Sequence, residues 1–325
     1  MSTNRRDFLT HGGIAAAALA GATSLAGRVS PAHAQPNEAV ASPRSYEFAY
    51  ALNTGTIRGQ KLGLAAEIET AAKAGYQAIE PWLDGIHKFA EAGGSLQDVR
   101  KRCADLGLQV CSGIGFAAWI VNDDEQRRAG LEQMKRDMDA LAQIGGTHIA
   151  ASPAGAHRPG SPIELDDAAQ RYAVVCELGR TLGIIPQLEI WGSSANLSHG
   201  SQALYVAAQS GHPDACVLLD AYHMYKGGTP PAVLKLLGRQ ATHCFHMNDY
   251  PADPPRETIA DGDRVWPGDG IAPLTKILRH LAANHCRVAL SVELFNRDYW
   301  QLPAEEAART GLEKMRSAVA AAGLE

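Results

Sequence analysis

Paired cysteines are missing from this chain. It holds six, Cys103, Cys111, Cys176, Cys216, Cys244 and Cys286, but no CxxC and no other paired spacing. The redox and zinc-finger signatures built on such pairs are therefore absent. No GxGxxG follows the first apolar run and no P-loop occurs, so nucleotide-binding folds lack their fingerprint. Basic charge is not in excess either: 30 Lys and Arg face 35 Asp and Glu, for a net charge of −5. Such a balance gives no electrostatic reason to bind nucleic acid or an anionic membrane. No linker or composition break divides residues 46–325, which read as one domain.

The first 34 residues read as an address. Asn4-Arg5-Arg6-Asp7-Phe8-Leu9 is a twin arginine followed by Phe-Leu, and a weakly apolar stretch covers 12–27. Ala32-His33-Ala34 then forms an A-x-A cleavage site before Gln35. The pattern resembles a twin-arginine export signal, with Asn4 where Ser or Thr is commoner. It predicts cleavage after Ala34 and a periplasmic or otherwise exported protein. The apolar stretch is too short and too rich in Ala and Gly to leave a stable membrane anchor. Residues 35–45, with two Pro and little periodicity, are expected to be a disordered lead-in. The exported chain would carry a charge of −7, since 1–34 contains three Arg and one Asp. Most of the cysteines lie within apolar periodic segments, where a free thiol behaves as a small core hydrophobe. They are expected to be buried and reduced.

Short apolar or β-branched runs recur near 46–52, 76–82, 108–115, 147–152, 184–190, 215–221, 241–247 and 287–294. Segments of helical periodicity separate them. The clearest covers 123–144, where Leu131, Met134, Met138, Leu141 and Ile144 step by three and four. Gly75, Gly107, Gly145-Gly146 and Gly183 fall where helices should end before the next strand. Eight strands alternating with helices predict a parallel sheet, and the count of eight predicts closure into a single (β/α)8 TIM barrel over 46–325. A doubly wound open sheet is the alternative.

Four side chains that can ligate a metal stand near the ends of four successive runs. They are Glu189 in PQLEIWG, Asp220 in VLLDAYH, His246 in HCFHMND and Glu293 in LSVELFN. A carboxylate among Leu, Val and Phe is costly unless a cation or hydrogen-bond donors compensate it. The gaps of 31, 26 and 47 residues each have room for a crossover between parallel strands. Period-two alternation puts Asp220 on one face with Leu218, His246 with Cys244, and Glu293 with Ser291. Each is then the last inward residue before a loop, at the barrel end where active sites are built. Three carboxylates and one imidazole suit one divalent cation. Oxygen-rich ligation favours Mn2+, with Mg2+, Co2+ or Zn2+ as competitors.

These motifs resemble the xylose-isomerase-like barrel superfamily, in its sugar phosphate isomerase/epimerase branch with the inosose isomerases and ketose 3-epimerases. The resemblance covers roughly 46–320. It is carried by LEIWG, by Asp220-Ala221-Tyr222-His223 followed by Tyr225-Lys226-Gly227-Gly228, by His246-Met247-Asn248-Asp249, and by SVELFN. It implies metal ligation by Glu189, Asp220, His246 and Glu293, and substrate binding by His223. It also implies that Glu189 and Glu293 both hold the metal and exchange protons. An arginine in the loop after the seventh strand holds substrate oxygens in the epimerases, which makes Arg256 a candidate. Trp119 and Trp266 are candidate faces for a sugar ring.

The implied reaction is isomerisation or epimerisation of a keto sugar through an enediolate. Dehydration, or cleavage of a 3-keto-glycoside, begins with the same proton. The implied partner is a small neutral sugar, an inosose or a 3-keto-glycoside. The loops carry only Lys226, Arg256 and Arg264, too few for phosphate capture. A DNA-repair endonuclease on this fold would need several zinc ions and a basic groove. A non-catalytic metal-dependent sugar-binding protein would share the ligands without needing a proton-transfer carboxylate.

Overall fold

The computed structural model describes residues 48–160 and 162–324. The expected export signal and lead-in lie outside the described residues. Among the described residues, eight strands and nine α-helices follow one another: β1 (Ala49–Asn53), α1 (Leu64–Ala74), β2 (Ala78–Glu80), α2 (Leu83–Glu91), α3 (Leu96–Asp105), β3 (Gln109–Val110), α4 (Asp124–Gln143), β4 (His148–Ala151), α5 (Leu165–Leu182), β5 (Ile185–Glu189), α6 (Gly200–Ser210), β6 (Cys216–Asp220), α7 (Ala221–Lys226), β7 (Cys244–His246), α8 (Leu274–Ala283), β8 (Ala289–Val292) and α9 (Ala304–Ala321). Each strand falls within a run marked in the sequence, except that β1 extends one residue past its run, to Asn53. The helix expected over 123–144 is α4, capped by the Asp123 carboxylate, which accepts from Gln126 N at 2.8 Å. Gly75 and Gly183 end α1 and α5 at φ of 92° and 71°, a region open to glycine without strain.

All pairings are parallel, in the order β3-β2-β1-β8-β7-β6-β5-β4. The remaining seam is bridged where Ala150 N donates to Gly113 O at 2.9 Å. The sheet therefore curls into the TIM barrel, not the open alternative. Alternation sorts the strand residues into two cores. Leu52, Ile79, Leu188, Leu219, Phe245 and Leu290 face the helices. Ala51, Ala78, Ala150, Leu218, Cys244 and Ala289 pack together on the inner side. The inner set is mostly small, as the narrow interior of a closed sheet requires. The six cysteines are free, and all but the half-buried Cys111 are buried, as expected.

One strand breaks a rule. Pro186 lies in β5, paired on both sides, although proline cannot donate to a ladder. Tyr172 of α5 repairs the defect: its fully buried hydroxyl reaches Pro186 O at 2.7 Å and Cys216 O at 3.1 Å, and accepts from Cys216 N at 3.2 Å. It thus clamps together the strands that end in Glu189 and Asp220. Tyr172→Phe removes the buried hydroxyl that bridges the two strands and should lower stability by about 1–3 kcal/mol. Urea unfolding measures this, and an unchanged midpoint would remove Tyr172 from that role.

Candidate metal centre

Glu189, Asp220 and His246 are the last residues of β5, β6 and β7, and Glu293 directly follows β8. The barrel gathers them around one imidazole nitrogen. From His246 Nδ1, Glu293 Oε2 lies at 3.2 Å, Asp220 Oδ2 at 3.7 Å and Glu189 Oε1 at 4.0 Å. All four side chains are buried. Asp220 is held by its second role as cap of α7, where Oδ1 accepts from His223 N at 2.6 Å.

Two atoms of this cluster are unsatisfied. Among the described residues, His246 Nδ1 and Glu189 Oε2 are buried without a hydrogen-bond partner. On the opposite edge of the ring, His246 Nε2 meets the Glu80 carboxylate at 3.0 Å. With the ring proton on Nε2, the Nδ1 lone pair faces carboxylate lone pairs. Only a proton or a cation between them makes that arrangement stable. Asp220, His246 and Glu293 bring ligand atoms within 4.8 Å of one another, and with Glu189 reaching the same imidazole from 4.0 Å the donor set fits a divalent ion of hard or borderline character.

The electrostatics agree. Burial, followed by the charges of Glu293 and Asp220, pushes the Glu189 carboxyl up to about 8, against the pull of His246. His246 is raised well above the ordinary histidine range: burial opposes this, but Glu293 and Glu80 outweigh it. Glu293 is lowered, because His246 and Arg264 overcome its burial. Without a cation, therefore, the site retains protons.

Arg264, 1% exposed, enters the site from the loop after β7. Its Nη1 donates to Glu293 Oε2 at 2.9 Å and Asp220 Oδ2 at 3.3 Å, and its Nη2 donates to Asp261 Oδ1 at 2.5 Å. The loop carrying it is pinned at both ends. Asp249 accepts from Tyr250 N, Gly268 N and Ala272 N, and Lys226 Nζ donates to the carbonyls of Arg256, Glu257 and Ile259. Gly270 is required at the base, since a Cβ there would lie 2.2 Å from Tyr250 O. His223 Nδ1 accepts from Gly192 N at 3.2 Å, which places the ring proton on Nε2, 3.1 Å from Arg264 Nη2. Burial, reinforced by Arg264, lowers its pKa and keeps the ring neutral.

Three expected substrate residues are elsewhere. Arg256 is exposed and pairs with Glu257 at 3.6 Å, so the arginine reaching the cluster is Arg264. Trp119 is fully buried, with its indole N–H on Ser152 O at 2.8 Å, and Trp266 stacks on Tyr299 at 4.4 Å within the core. Both anchor structure. The rings at the mouth are Trp82, Phe116, Trp191 and Phe295, in edge or tilted contacts of 5.1–6.0 Å, with Phe116 48% exposed. Each follows a strand end or its loop, a position that could have identified them. Glu80, in AIEPW, and Asn53 were also missed. Glu80 carries the mark used for the other ligands, a carboxylate closing an apolar run.

The raised groups give the metal-free protein a defined pH dependence. Between about pH 4.5 and 8 the folded state holds the Glu189 proton that the unfolded chain has lost, so stability falls as pH rises through this window. His246, also raised, acts in the same direction. Glu80, held down at about 2, loses its contribution only as pH falls below about 4.5. A divalent ion replaces the retained protons, so the metal-induced rise in Tm should grow from about pH 5 to 8. Melting of chelated and metal-loaded protein across that range checks it; a flat or shrinking increment is the contrary result.

The chain matches the family model described as xylose isomerase-like TIM barrel over residues 68–318. It is 24% identical over 259 residues to the inosose isomerase of Bacillus velezensis, covering 79% of this chain and 92% of that protein. It is 25% identical over 257 residues to the 3-dehydroshikimate dehydratase of Pseudomonas aeruginosa, covering 78% of this chain but only 39% of the dehydratase. Among solved structures, the IolI protein with a bound zinc atom superposes with a TM-score of 0.77 at 21% identity, over 84% of this chain and 99% of that one. With its closed parallel barrel and its four convergent side chains at the strand ends, the chain belongs to the xylose isomerase-like TIM barrel family.

Proposed function

We propose that the protein is a divalent-metal-dependent isomerase or epimerase of a neutral keto sugar, inosose or 3-keto-glycoside, with Mn2+ the preferred ion. The observation that carries this reading is the convergence of Glu189 and Glu293, from strands three apart, on one imidazole. The Glu189 carboxylate keeps one oxygen without a partner. A bound ion supplies Lewis acidity to adjacent carbonyl and hydroxyl oxygens of the sugar. Glu189 Oε2 is then placed to remove the proton from the carbon beside the carbonyl, and Glu293, from the other flank, to return one. The N–H of His223 Nε2 steadies the oxygen that gains charge. Trp82, Phe116, Trp191 and Phe295 offer apolar faces to the ring and limit water.

The cations near the mouth favour a neutral substrate, because three of them spend most of their N–H groups on the protein itself. Arg264 serves three carboxylates, Lys226 serves three carbonyls, and Arg58 lies over Trp82 with its charge on Asp84 at 3.3 Å. A phosphate would need a free guanidinium or ammonium. The Asn4–Leu9 twin arginine and Ala32-His33-Ala34 support export to the periplasm, where unphosphorylated sugars are the natural substrates. The similarity to the dehydratase favours a second reading, in which removal of the same proton is followed by loss of a β-oxygen.

Solvent exchange separates these outcomes. A keto sugar incubated in D2O with the Mn2+-loaded protein should gain deuterium at the α-carbon, and an elimination would also release an unsaturated product. Glu189→Gln or Glu293→Gln, compared at equal bound metal, should lower exchange by about 10²-fold or more. Full exchange in both metal-replete variants would remove the proton-transfer role. No exchange in the parent protein with any keto sugar that binds would leave a non-catalytic sugar binder.

A further inference from the structure

We infer that Glu80 is a positioning residue that decides which nitrogen of His246 faces the metal, an inference that rests on the metal centre described above. Glu80 closes β2, on the far side of the barrel from β7, and is fully buried. Its Oε2 collects three donors: His246 Nε2 at 3.0 Å, Ser291 Oγ at 2.7 Å and Asn53 Nδ2 at 2.9 Å. An ionised carboxylate only accepts, so the imidazole must present an N–H at Nε2. The lone pair is then at Nδ1, the atom that Glu293, Asp220 and Glu189 surround.

His246 has a competing possibility on its other edge. Glu80, Cys244 and His246 also bring ligand atoms within 4.8 Å of one another, with Cys244 Sγ 3.7 Å from Glu80 Oε1. The hydrogen bonds decide between the two. On the Nε2 edge the Glu80 oxygen is already engaged by two neutral donors besides the ring. On the Nδ1 edge, the ring nitrogen meets only carboxylate acceptors, Glu293 Oε2 at 3.2 Å, Asp220 Oδ2 at 3.7 Å and Glu189 Oε1 at 4.0 Å, and Glu189 Oε2 is buried without a partner. Buried polar atoms in a native site are satisfied, so the edge with unpaired acceptors is the one that takes the ion.

Asn53 extends the device. Its Nδ2 also reaches Glu293 Oε1 at 3.2 Å, leaving Oε2 turned toward His246, and its Oδ1 is fixed by Gly55 N at 2.8 Å and Trp82 Nε1 at 3.0 Å. One amide thus braces the oxygen behind one ligand and the carboxylate behind another. Carboxylates that hold the outer N–H of a ligating imidazole fix its tautomer and make it a stronger donor.

The test uses the full chain with Zn2+ as probe. Long-range 1H–15N correlation on the zinc-loaded parent protein should show His246 protonated at Nε2 and metallated at Nδ1; metallation at Nε2 overturns the inference. Glu80→Gln preserves size and one acceptor but removes the charge. Its zinc affinity should fall by about 10–100-fold with an unaltered far-UV spectrum. An unchanged affinity in the folded variant overturns the positioning role. Asp220→Asn should weaken zinc binding while Cys244→Ala should not; the reverse places the ion on the Nε2 edge and overturns the inference. Failure of the parent protein to bind zinc would end the metal centre itself, whereas Nδ1 metallation with a normal Glu80→Gln affinity would end only the role of Glu80. If Glu80→Gln does not fold, the tautomer measurement on the parent protein still decides.

Discussion

Excess negative charge around the His246 imidazole is the constraint on which the rest of the site depends. Glu80, Glu189, Asp220 and Glu293 are all buried there, and among the described residues Arg264 is the one buried guanidinium beside them. Charges buried this way do not stabilise a fold merely by being close; each needs donors or a counter-ion. Three of the four have them. Glu80 has Ser291, Asn53 and His246; Asp220 has His223 N, Asn248 and Arg264; Glu293 has Arg264 and Asn53. Glu189 has the least, and the unpaired charge concentrates between its carboxylate and His246 Nδ1. The protein thus holds a hole of defined charge and donor type at the mouth of a rigid sheet.

The scaffold serves that hole in physically distinct ways. Small inner residues, Ala51, Ala78, Ala150 and Ala289, line the narrow interior below the polar layer. Tyr172 restores the hydrogen bonding that Pro186 removes from β5, and so fixes the spacing of the Glu189 and Asp220 strands. The loop after β7 is folded onto the Asp249 carboxylate and the Lys226 ammonium before it delivers Arg264. Loops on a rigid barrel are where activity varies between relatives.

The strand and helix order was legible because period-two and 3.6-residue patterns are local, and the turn glycines punctuate them. The four candidate ligands stood out for a related reason: a carboxylate or imidazole that ends an apolar run is conspicuous along a line. Glu80 has the same mark in AIEPW, yet it stands 109 residues before Glu189, outside the cluster of consecutive strands. Only closure of the sheet brings β2 across from β7. Arg256 and Arg264 are both plausible along the chain, and which one turns inward depends on how Asp249 and Lys226 fold the loop between them.

The sequence by itself determined the alternation, the inward face of each strand and the residue types at the rim, because each depends on neighbours a few positions away. Tertiary structure alone decided that Trp119 and Trp266 lie in the core while Trp82, Phe116, Trp191 and Phe295 surround the mouth. Aromatic side chains satisfy either role with the same chemistry, so composition does not separate them. It also decided which edge of His246 is free. That depends on a hydrogen bond between residues 166 positions apart, and no local pattern encodes a contact at that range.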